Sequence, residues 1–142
     1  MATFISHSPE ETAALGAAWA KDARPGWVIG LSGDLGAGKT QLARGLARGL
    51  GSDARVHSPT FALLHEYRGG RWPLFHLDLY RLSGREQIID AGLESYLTRP
   101  EGVVVVEWME RWEPVTARDY RAARILLRSE QEREIQYEDF GA

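Results

Sequence analysis

An eight-residue segment at positions 33–40 constrains this chain more than any other part of its sequence. It reads Gly-Asp-Leu-Gly-Ala-Gly-Lys-Thr and matches the pattern G-x-x-x-x-G-K-[ST] in full. The glycines let the backbone curl and bring its N–H groups against a polyphosphate, where a Cβ would clash. Lys39 supplies a positive charge for the β- and γ-phosphates, and Thr40 carries the hydroxyl that usually ligates Mg²⁺. The segment therefore predicts a phosphate-binding loop (P-loop).

The residues on both sides of the loop support this prediction. Residues 27–31 form an apolar run of strand length, and after Thr40 the leucines recur at every fourth position, as in an amphipathic helix. A helix that begins at the loop directs its dipole and its free N–H groups at the phosphates. The alternative, a glycine-rich turn without a ligand, is the weaker interpretation in this context.

Length and composition indicate one ordinary globular domain, which we assign to residues 1–142. The chain has 44% hydrophobic and 26% charged residues. Its longest aliphatic run, four valines at 103–106, is far shorter than the ~20 residues that a membrane helix needs. No signal peptide is visible, and there are no cysteines. We expect a cytoplasmic protein with no membrane partner.

The charge pattern argues against direct binding of nucleic acid. The net charge is −3, and acidic and basic residues are interspersed, whereas proteins that grip nucleic acid usually carry a basic stripe. A role involving RNA would therefore have to work through a partner.

The order of the predicted elements favours a three-layer α/β fold with a mixed, partly antiparallel sheet. Ser8, Pro9 and Glu11 form a helix-start signature for a helix that runs to about residue 23. A second helix follows the loop and a third is predicted at 84–97. The predicted strands are residues 3–6, 27–31, 61–67, 72–80, 103–108, 123–128 and 132–137, with hairpins at 68–71 and 129–131.

Two carboxylates end predicted strands and are candidates for metal chemistry. Glu107 follows the four valines, and Asp78 ends the strand Leu-Phe-His-Leu-Asp. Such a strand delivers its acid to the sheet edge where nucleotide binds, where it can hold Mg²⁺ or orient the attacking water. The alternatives are a solvent-facing residue for Glu107 and a turn-capping residue for Asp78.

Several further residues have two interpretations. The segment Ser-Pro-Thr at 58–60 lies where nucleotide-sensing switches occur, but an ordinary Ser-Pro turn is favoured from the residues alone. His76 is expected to be a hydrogen-bonded core residue rather than a base. Trp108 either packs on the nucleotide or completes the core, and the second is the commoner case. The remaining histidines have no metal-ligand spacing, so no zinc site is expected.

Four blocks in this order resemble the TsaE (YjeE) family of small bacterial P-loop ATPases. The resemblance covers most of the chain. The blocks are the loop at 33–40, Ser-Pro-Thr-Phe at 58–61, His-Leu-Asp-Leu-Tyr-Arg at 76–81 and Val-Glu-Trp at 106–108.

The resemblance implies a role in making N6-threonylcarbamoyladenosine (t6A37) in tRNA, with binding and hydrolysis of ATP in association with the TsaD and TsaB proteins. It implies catalytic roles for Lys39, Asp78 and Glu107, and Mg²⁺ ligation by Thr40, Glu107 and Asp78. Thr60 is implied as the switch residue. The implied nucleotide-binding residues are Thr12, Gly33, Asp34, Leu35, Gly36, Ala37, Gly38, Lys39, Thr40 and Thr60. The sequence has no obvious arginine finger, although Arg81 is a candidate, so hydrolysis by the chain alone is expected to be slow.

Two other classes of function remain open from the sequence. A small-molecule P-loop kinase would need a substrate pocket and a lid, for which only residues 110–121 are left over. A non-enzymatic binding module would use ATP to order an interface. The residues alone support a Mg²⁺-dependent P-loop nucleotide binder.

Overall fold

A computed structural model of the protein describes residues 2–33, 38–52, 64–98, 100–113, 115 and 117–141. Four α-helices and seven strands form its framework. The helices are α1 (Pro9–Trp19), α2 (Lys39–Gly49), α3 (Arg85–Asp90) and α4 (Glu94–Thr98). The strands are β1 (Ala2–Ser6), β2 (Trp27–Gly33), β3 (Leu64–Tyr67), β4 (Leu74–Asp78), β5 (Val103–Glu107), β6 (Asp119–Leu127) and β7 (Arg133–Gly141). Two 3₁₀ helices, Ala20–Asp22 and Met109–Trp112, follow α1 and β5.

The seven strands form one mixed sheet in the order β1-β7-β6-β2-β5-β4-β3. Its centre is parallel, since β2 pairs with both β5 and β6, and β4 pairs with β5, in the same direction. The edges are antiparallel hairpins, β3 with β4 and β6 with β7, and β1 adds to β7. This arrangement confirms the predicted mixed, partly antiparallel sheet.

Two hydrophobic clusters on opposite faces of the sheet make the fold three-layered. Side chains alternate along each strand, so that Ile29 of β2 packs under α1 and α2 whereas Val28 faces α3 and α4. The same alternation sends Val105 of β5 to the first cluster and Val106 to the second. Both faces of the central strands are therefore buried, as expected for a parallel core.

The start of α1 follows the predicted capping signature with one change. The Ser8 hydroxyl accepts a hydrogen bond from the Glu11 amide at 3.1 Å, and Pro9 is the first helical residue. The Glu11 carboxylate reaches one residue further than in a capping box and accepts from the His7 amide at 2.9 Å. These contacts fix the first turn of α1, from which Thr12 projects towards the phosphate loop.

Several predicted bounds differ from the structure: the strand predicted at 72–80 is Leu74–Asp78, and two other differences are larger. The helix predicted at 84–97 is two short helices, because Gly92 between them adopts a positive φ of 78° that ends the first. The C-terminal hairpin is longer than predicted and runs over nine residues in each strand. In the described part of the chain, no helix has the length and apolar character required to cross a membrane.

Candidate active site

The phosphate loop joins the end of β2 to the start of α2 at the carboxyl edge of the sheet. Gly33 and Gly38, which flank residues 34–37, have φ values of 131° and 103°, in the region that L side chains rarely adopt. A Cβ on Gly33 would also lie 2.3 Å from the Ile125 carbonyl oxygen. Both glycines are therefore required by the backbone. Asp34, Leu35, Gly36 and Ala37 lie outside the described residues.

Lys39 is held at the mouth of this loop. Its side chain is buried, and its Nζ atom donates a hydrogen bond to the Gly33 carbonyl oxygen at 2.6 Å. The same ammonium lies 4.7 Å from the centroid of the Trp108 ring, a favourable cation–π distance. The positive charge is thus fixed beside the first amides of α2, and within the described residues no side chain caps that helix start.

Asp78 and Glu107 stand next to each other at the ends of two neighbouring parallel strands. They are register partners of β4 and β5. Glu107 is only 5% exposed, so the alternative of a solvent-facing residue is wrong. Asp78 also caps a turn, because its Oδ1 atom accepts from the Tyr80 amide at 3.0 Å. Two carboxylates therefore meet at the edge where β2 delivers the phosphate loop.

The environment of Asp78 changes its acidity. Burial raises the pKa of its carboxyl above the ordinary value, and the negative charge of Glu107 acts in the same direction. The hydrogen bond from Tyr80 opposes the shift, as does the positive charge of Lys39. Burial therefore outweighs these opposing contributions, and the pKa of Asp78 stays above the ordinary value.

His76 lies on β4, two residues before Asp78, and confirms the expectation of a hydrogen-bonded core residue. Its ring is fully buried, and its Nε2 atom lies 2.6 Å from Oε2 of Glu107. Because an ionised carboxylate only accepts hydrogen bonds, His76 is the donor.

A cavity of about 570 Å³ opens over these groups. It brings together six of the predicted site residues: Thr12, Gly38, Lys39, Thr40, Asp78 and Glu107. Arg81, the candidate arginine finger, lines it as well. Thr60 lies outside the described residues, so its predicted switch role stays a prediction.

Thr12 lies against the loop with its hydroxyl already engaged. Its Oγ1 atom is 2.7 Å from Oγ of Ser6, and both side chains are buried. A Cβ on Gly38 would lie 3.9 Å from the Thr12 methyl group. Thr12 therefore offers the loop a packing surface.

The sequence interpretation missed a second wall of the cavity. Glu130, Gln131 and Arg133, from the turn of the β6–β7 hairpin and the start of β7, line it beside the end of β1, where Ser6 is the register partner of Arg133. No local pattern marks them, because nothing in the hairpin sequence reveals that it folds back over the loop.

Trp108 also belongs to the site rather than to the core alone. It is half-buried, lines the cavity and packs against Tyr80 with ring centroids 5.0 Å apart. Among the described non-glycine residues it alone has a positive φ, at 62°. That left-handed turn redirects the chain directly after Glu107 and places the indole over Lys39.

The oxygen donors in the cavity suit Mg²⁺, but they do not form a complete coordination shell made of protein atoms alone. Thr40, Asp78 and Glu107 offer oxygen atoms, the ligands that this hard cation prefers. No group of three or more His, Cys, Asp or Glu side chains suited to a metal occurs in the part of the chain that is described. Mg²⁺ commonly binds in this way, through one or two carboxylates, waters and substrate phosphates.

Comparisons with known proteins agree with this architecture. A family model described as "Threonylcarbamoyl adenosine biosynthesis protein TsaE" matches residues 6–135. A Bacillus subtilis protein named tRNA threonylcarbamoyladenosine biosynthesis protein TsaE is 40% identical over 134 residues, which cover 94% of this chain and 83% of the relative. A Nostoc protein of the same name is 48% identical over 105 residues, covering 72% of this chain and 64% of the relative. The crystal structure of Bacillus subtilis YdiB superposes with a TM-score of 0.80 at 36% identity, covering 96% of this chain and 83% of that one.

Proposed function

The chain belongs to the TsaE family, and from this membership we propose that it binds and hydrolyses Mg²⁺-ATP in service of tRNA threonylcarbamoyladenosine synthesis. In this proposal the TsaD and TsaB proteins are its partners, and the threonylcarbamoyl transfer itself is made by TsaD. The cytoplasmic location expected from the sequence is part of the same proposal.

One observation carries the proposed chemistry: a lysine, a hydroxyl and two carboxylates from separate elements converge on one cavity. Lys39 and Thr40 come from the start of α2, and Asp78 and Glu107 from the ends of β4 and β5. Phosphoryl transfer to water requires positioning and charge stabilisation rather than covalent chemistry by the protein. These four side chains are of the types that such a site uses.

Each side chain has a distinct role in this mechanism. The Lys39 ammonium leaves the Gly33 carbonyl oxygen and pairs with the phosphates, which also accept hydrogen bonds from the first amides of α2. Thr40 and Glu107 would hold Mg²⁺, which would supply positive charge to the phosphate oxygens. Asp78 would assist in holding the metal or would accept a hydrogen bond from the attacking water.

The site supports slow hydrolysis by the isolated chain. Arg81 lines the cavity and is a candidate to stabilise charge on the transferred phosphoryl group. An arginine supplied at the right moment is worth about 10³–10⁵ in rate, so the position of Arg81 is a point where partners can act. With a net charge of −3, the chain is expected to approach tRNA only indirectly, through TsaD and TsaB.

The structure offers little support for the alternative of a small-molecule kinase. Residues 110–121 were the stretch in which a substrate lid had to fit. Met109–Trp112 forms a 3₁₀ helix whose Trp112 is fully buried in the second core cluster, and β6 begins at Asp119. Half of the stretch, residues 110–112 and 119–121, therefore lies in regular structure.

Lys39→Ala is the direct test of nucleotide binding, and the chain supplies its own matched control. Only one other lysine exists, Lys21, which is exposed in a 3₁₀ helix far from the loop in sequence. We expect Lys39→Ala to weaken Mg²⁺-ATP binding in calorimetry and to reduce hydrolysis with TsaD and TsaB at least about a hundredfold, as for loss of a preorganised charged donor. Lys21→Ala should match the wild type in both assays. Equal turnover by Lys39→Ala and wild type would refute the proposed ATPase.

The proposed partners are tested separately from the chemistry. A pull-down with TsaD and TsaB, with and without ATP and Mg²⁺, should recover both proteins with the wild-type chain.

Glu107→Gln should still bind ATP while cleaving it slowly. If Glu107→Gln supported tRNA modification over many turnovers, hydrolysis would be incidental and the chain would act as a binding module.

A further inference from the structure

His76 is a polar residue at a fully buried position with hydrophobic surroundings. It faces the first hydrophobic cluster from the middle of β4, opposite Val105 of the neighbouring strand, with none of its surface exposed. The other residues of the strand before Asp78 are Leu74, Phe75 and Leu77, all buried. Burial of an imidazole costs free energy that burial of a leucine does not, unless its nitrogens are bonded.

Only one of the two ring nitrogens of His76 has a hydrogen-bond partner among the described residues. Nε2 of His76 donates to the Glu107 carboxylate, whereas Nδ1 is buried with no hydrogen-bond partner among the described residues. A half-satisfied buried ring is a poor choice for packing alone. Its one strong bond, at 2.6 Å to a carboxylate of the cavity, indicates that the ring serves Glu107.

The bond restricts what Glu107 offers to a ligand. Oε2 is occupied by His76 from the core side, and within the described residues the carboxylate makes no other side-chain hydrogen bond. Since Glu107 also lines the cavity, Oε1 is the oxygen left for a bound cation. Ligation through both oxygens would require the carboxylate to turn until both oxygens faced the cavity, and the bond that holds Oε2 to the fully buried ring of His76 opposes that rotation.

We propose that His76 is a positioning residue that limits Glu107 to one-oxygen ligation and thereby makes the site select Mg²⁺ over Ca²⁺. Mg²⁺ binds at 2.0–2.1 Å in a nearly ideal octahedron, which a single carboxylate oxygen suits. Ca²⁺ takes 6–8 ligands at 2.3–2.6 Å and readily accepts both oxygens of one carboxylate. The inference rests on the proposed Mg²⁺-nucleotide site and assigns the cation specificity of that site.

Two amide substitutions separate the hydrogen bond from the rest of the ring. The side-chain nitrogen of glutamine lies near the place of the imidazole Nε2, whereas that of asparagine lies near Nδ1, too short to reach Glu107. We expect His76→Gln to keep the cation preference and His76→Asn to lose it. Both variants remove the aromatic ring, so a role of the ring itself would change the cation preference of both.

The measurement is ADP affinity by calorimetry in Mg²⁺, in Ca²⁺ and in a chelator, because the product requires no turnover. For the wild type and His76→Gln, Mg²⁺ should strengthen ADP binding more than Ca²⁺ does. For His76→Asn, the ratio of the two affinities should fall by about tenfold or more, the range seen for loss of groups that orient metal ligands. Affinity in the chelator should be unchanged in both variants.

The outcomes distinguish this inference from the proposed function. An unchanged Mg²⁺/Ca²⁺ ratio in His76→Asn would overturn the role of His76 and leave the ATPase standing. A wild type in which neither cation affects ADP binding would overturn both. Should His76→Asn fail to fold, the infrared carboxylate bands of the wild type with Mg²⁺-ADP, measured against Glu107→Gln, decide: a wide band separation supports one-oxygen ligation, and a narrow one refutes it.

Discussion

The substitution Gly45→Ala tests whether the close contact between α1 and α2 stabilises the fold and the site. The two helices touch backbone to backbone at this residue. An ideal Cβ on Gly45 would lie 1.7 Å from the Ala13 carbonyl oxygen, against an ordinary contact of at least 3.4 Å. Because the obstacle is main chain rather than a flexible side chain, no rotamer change relieves the overlap.

The magnitude follows from two opposing effects. Replacing a glycine inside a helix by alanine normally stabilises by about 0.5–1 kcal/mol, through backbone entropy. Overpacking a tight contact costs about 1–3 kcal/mol and sometimes more. A shortfall of about 1.7 Å at a helix–helix contact calls for the upper end of that range. We expect a net destabilisation of about 2 kcal/mol, or a fall in Tm of several degrees for a chain of this size.

The same displacement reaches the cavity, because its walls belong to the two helices. α1 carries Thr12, and α2 carries Lys39 and Thr40. Moving the helices apart separates Thr12 from the loop, so ADP binding should weaken along with stability. The assays are urea unfolding with linear extrapolation and calorimetric ADP titration.

Two other glycines, Gly16 and Gly84, provide a graded comparison and a control for Gly45→Ala. At Gly16 the added Cβ would meet the Leu42 carbonyl oxygen at 2.2 Å, so Gly16→Ala should destabilise less than Gly45→Ala. Gly84, which has an extended φ and no atom within 4 Å of its added Cβ, should tolerate alanine without measurable loss. Unfolding free energies for Gly45→Ala equal to or above the wild type would refute the backbone contact.

Two further substitutions test the start of α1 and the acidic edge of the site. Ser8→Ala removes the acceptor for the Glu11 amide and should cost about 1 kcal/mol of unfolding free energy, whereas Ser8→Asp should restore most of it. Asp78→Asn tests the raised pKa: the folded state without ligands favours the protonated acid, so wild-type stability falls as pH rises through the folded pKa. In chelator, Asp78→Asn should therefore be more stable than the wild type at pH 7, and the difference in unfolding free energy should shrink towards pH 4. A difference that does not depend on pH would contradict the raised pKa of Asp78.

Much of this site could be predicted because each strand end carries its own local signal. Glu107 follows four valines and Asp78 follows an apolar strand, so the pattern of buried strand and terminal acid was visible in each segment separately. Parallel strands end at the same sheet edge, so both acids could be placed at that edge without any knowledge of the strand order. The predicted pairing of β3 with β4 followed similarly from the turn between them.

The features of the site that the sequence did not predict depend on strand register and on contacts between segments far apart in the chain. The bond between His76 and Glu107 exists because β4 and β5 are adjacent and aligned so that Asp78 faces Glu107, which puts His76 one diagonal step away. Neither adjacency nor alignment is encoded within either strand. The hairpin residue Gln131 reaches the cavity for a similar reason, since β6 pairs with β2 and carries the hairpin turn past the loop.

The charges in the cavity explain why nucleotide and cation should bind together rather than separately. A polyphosphate alone would be attracted by Lys39, Arg81 and Arg133, which line the cavity, but would be repelled by the carboxylates of Asp78 and Glu107. A divalent cation alone would find too few protein ligands, because the described residues hold no cluster of three suited to a metal. In the proposed site each ligand would supply what the other lacks: the phosphates would complete the coordination of Mg²⁺, and Mg²⁺ would neutralise the repulsion between phosphates and carboxylates. By linkage, the factor by which Mg²⁺ strengthens nucleotide binding must equal the factor by which nucleotide strengthens Mg²⁺ binding.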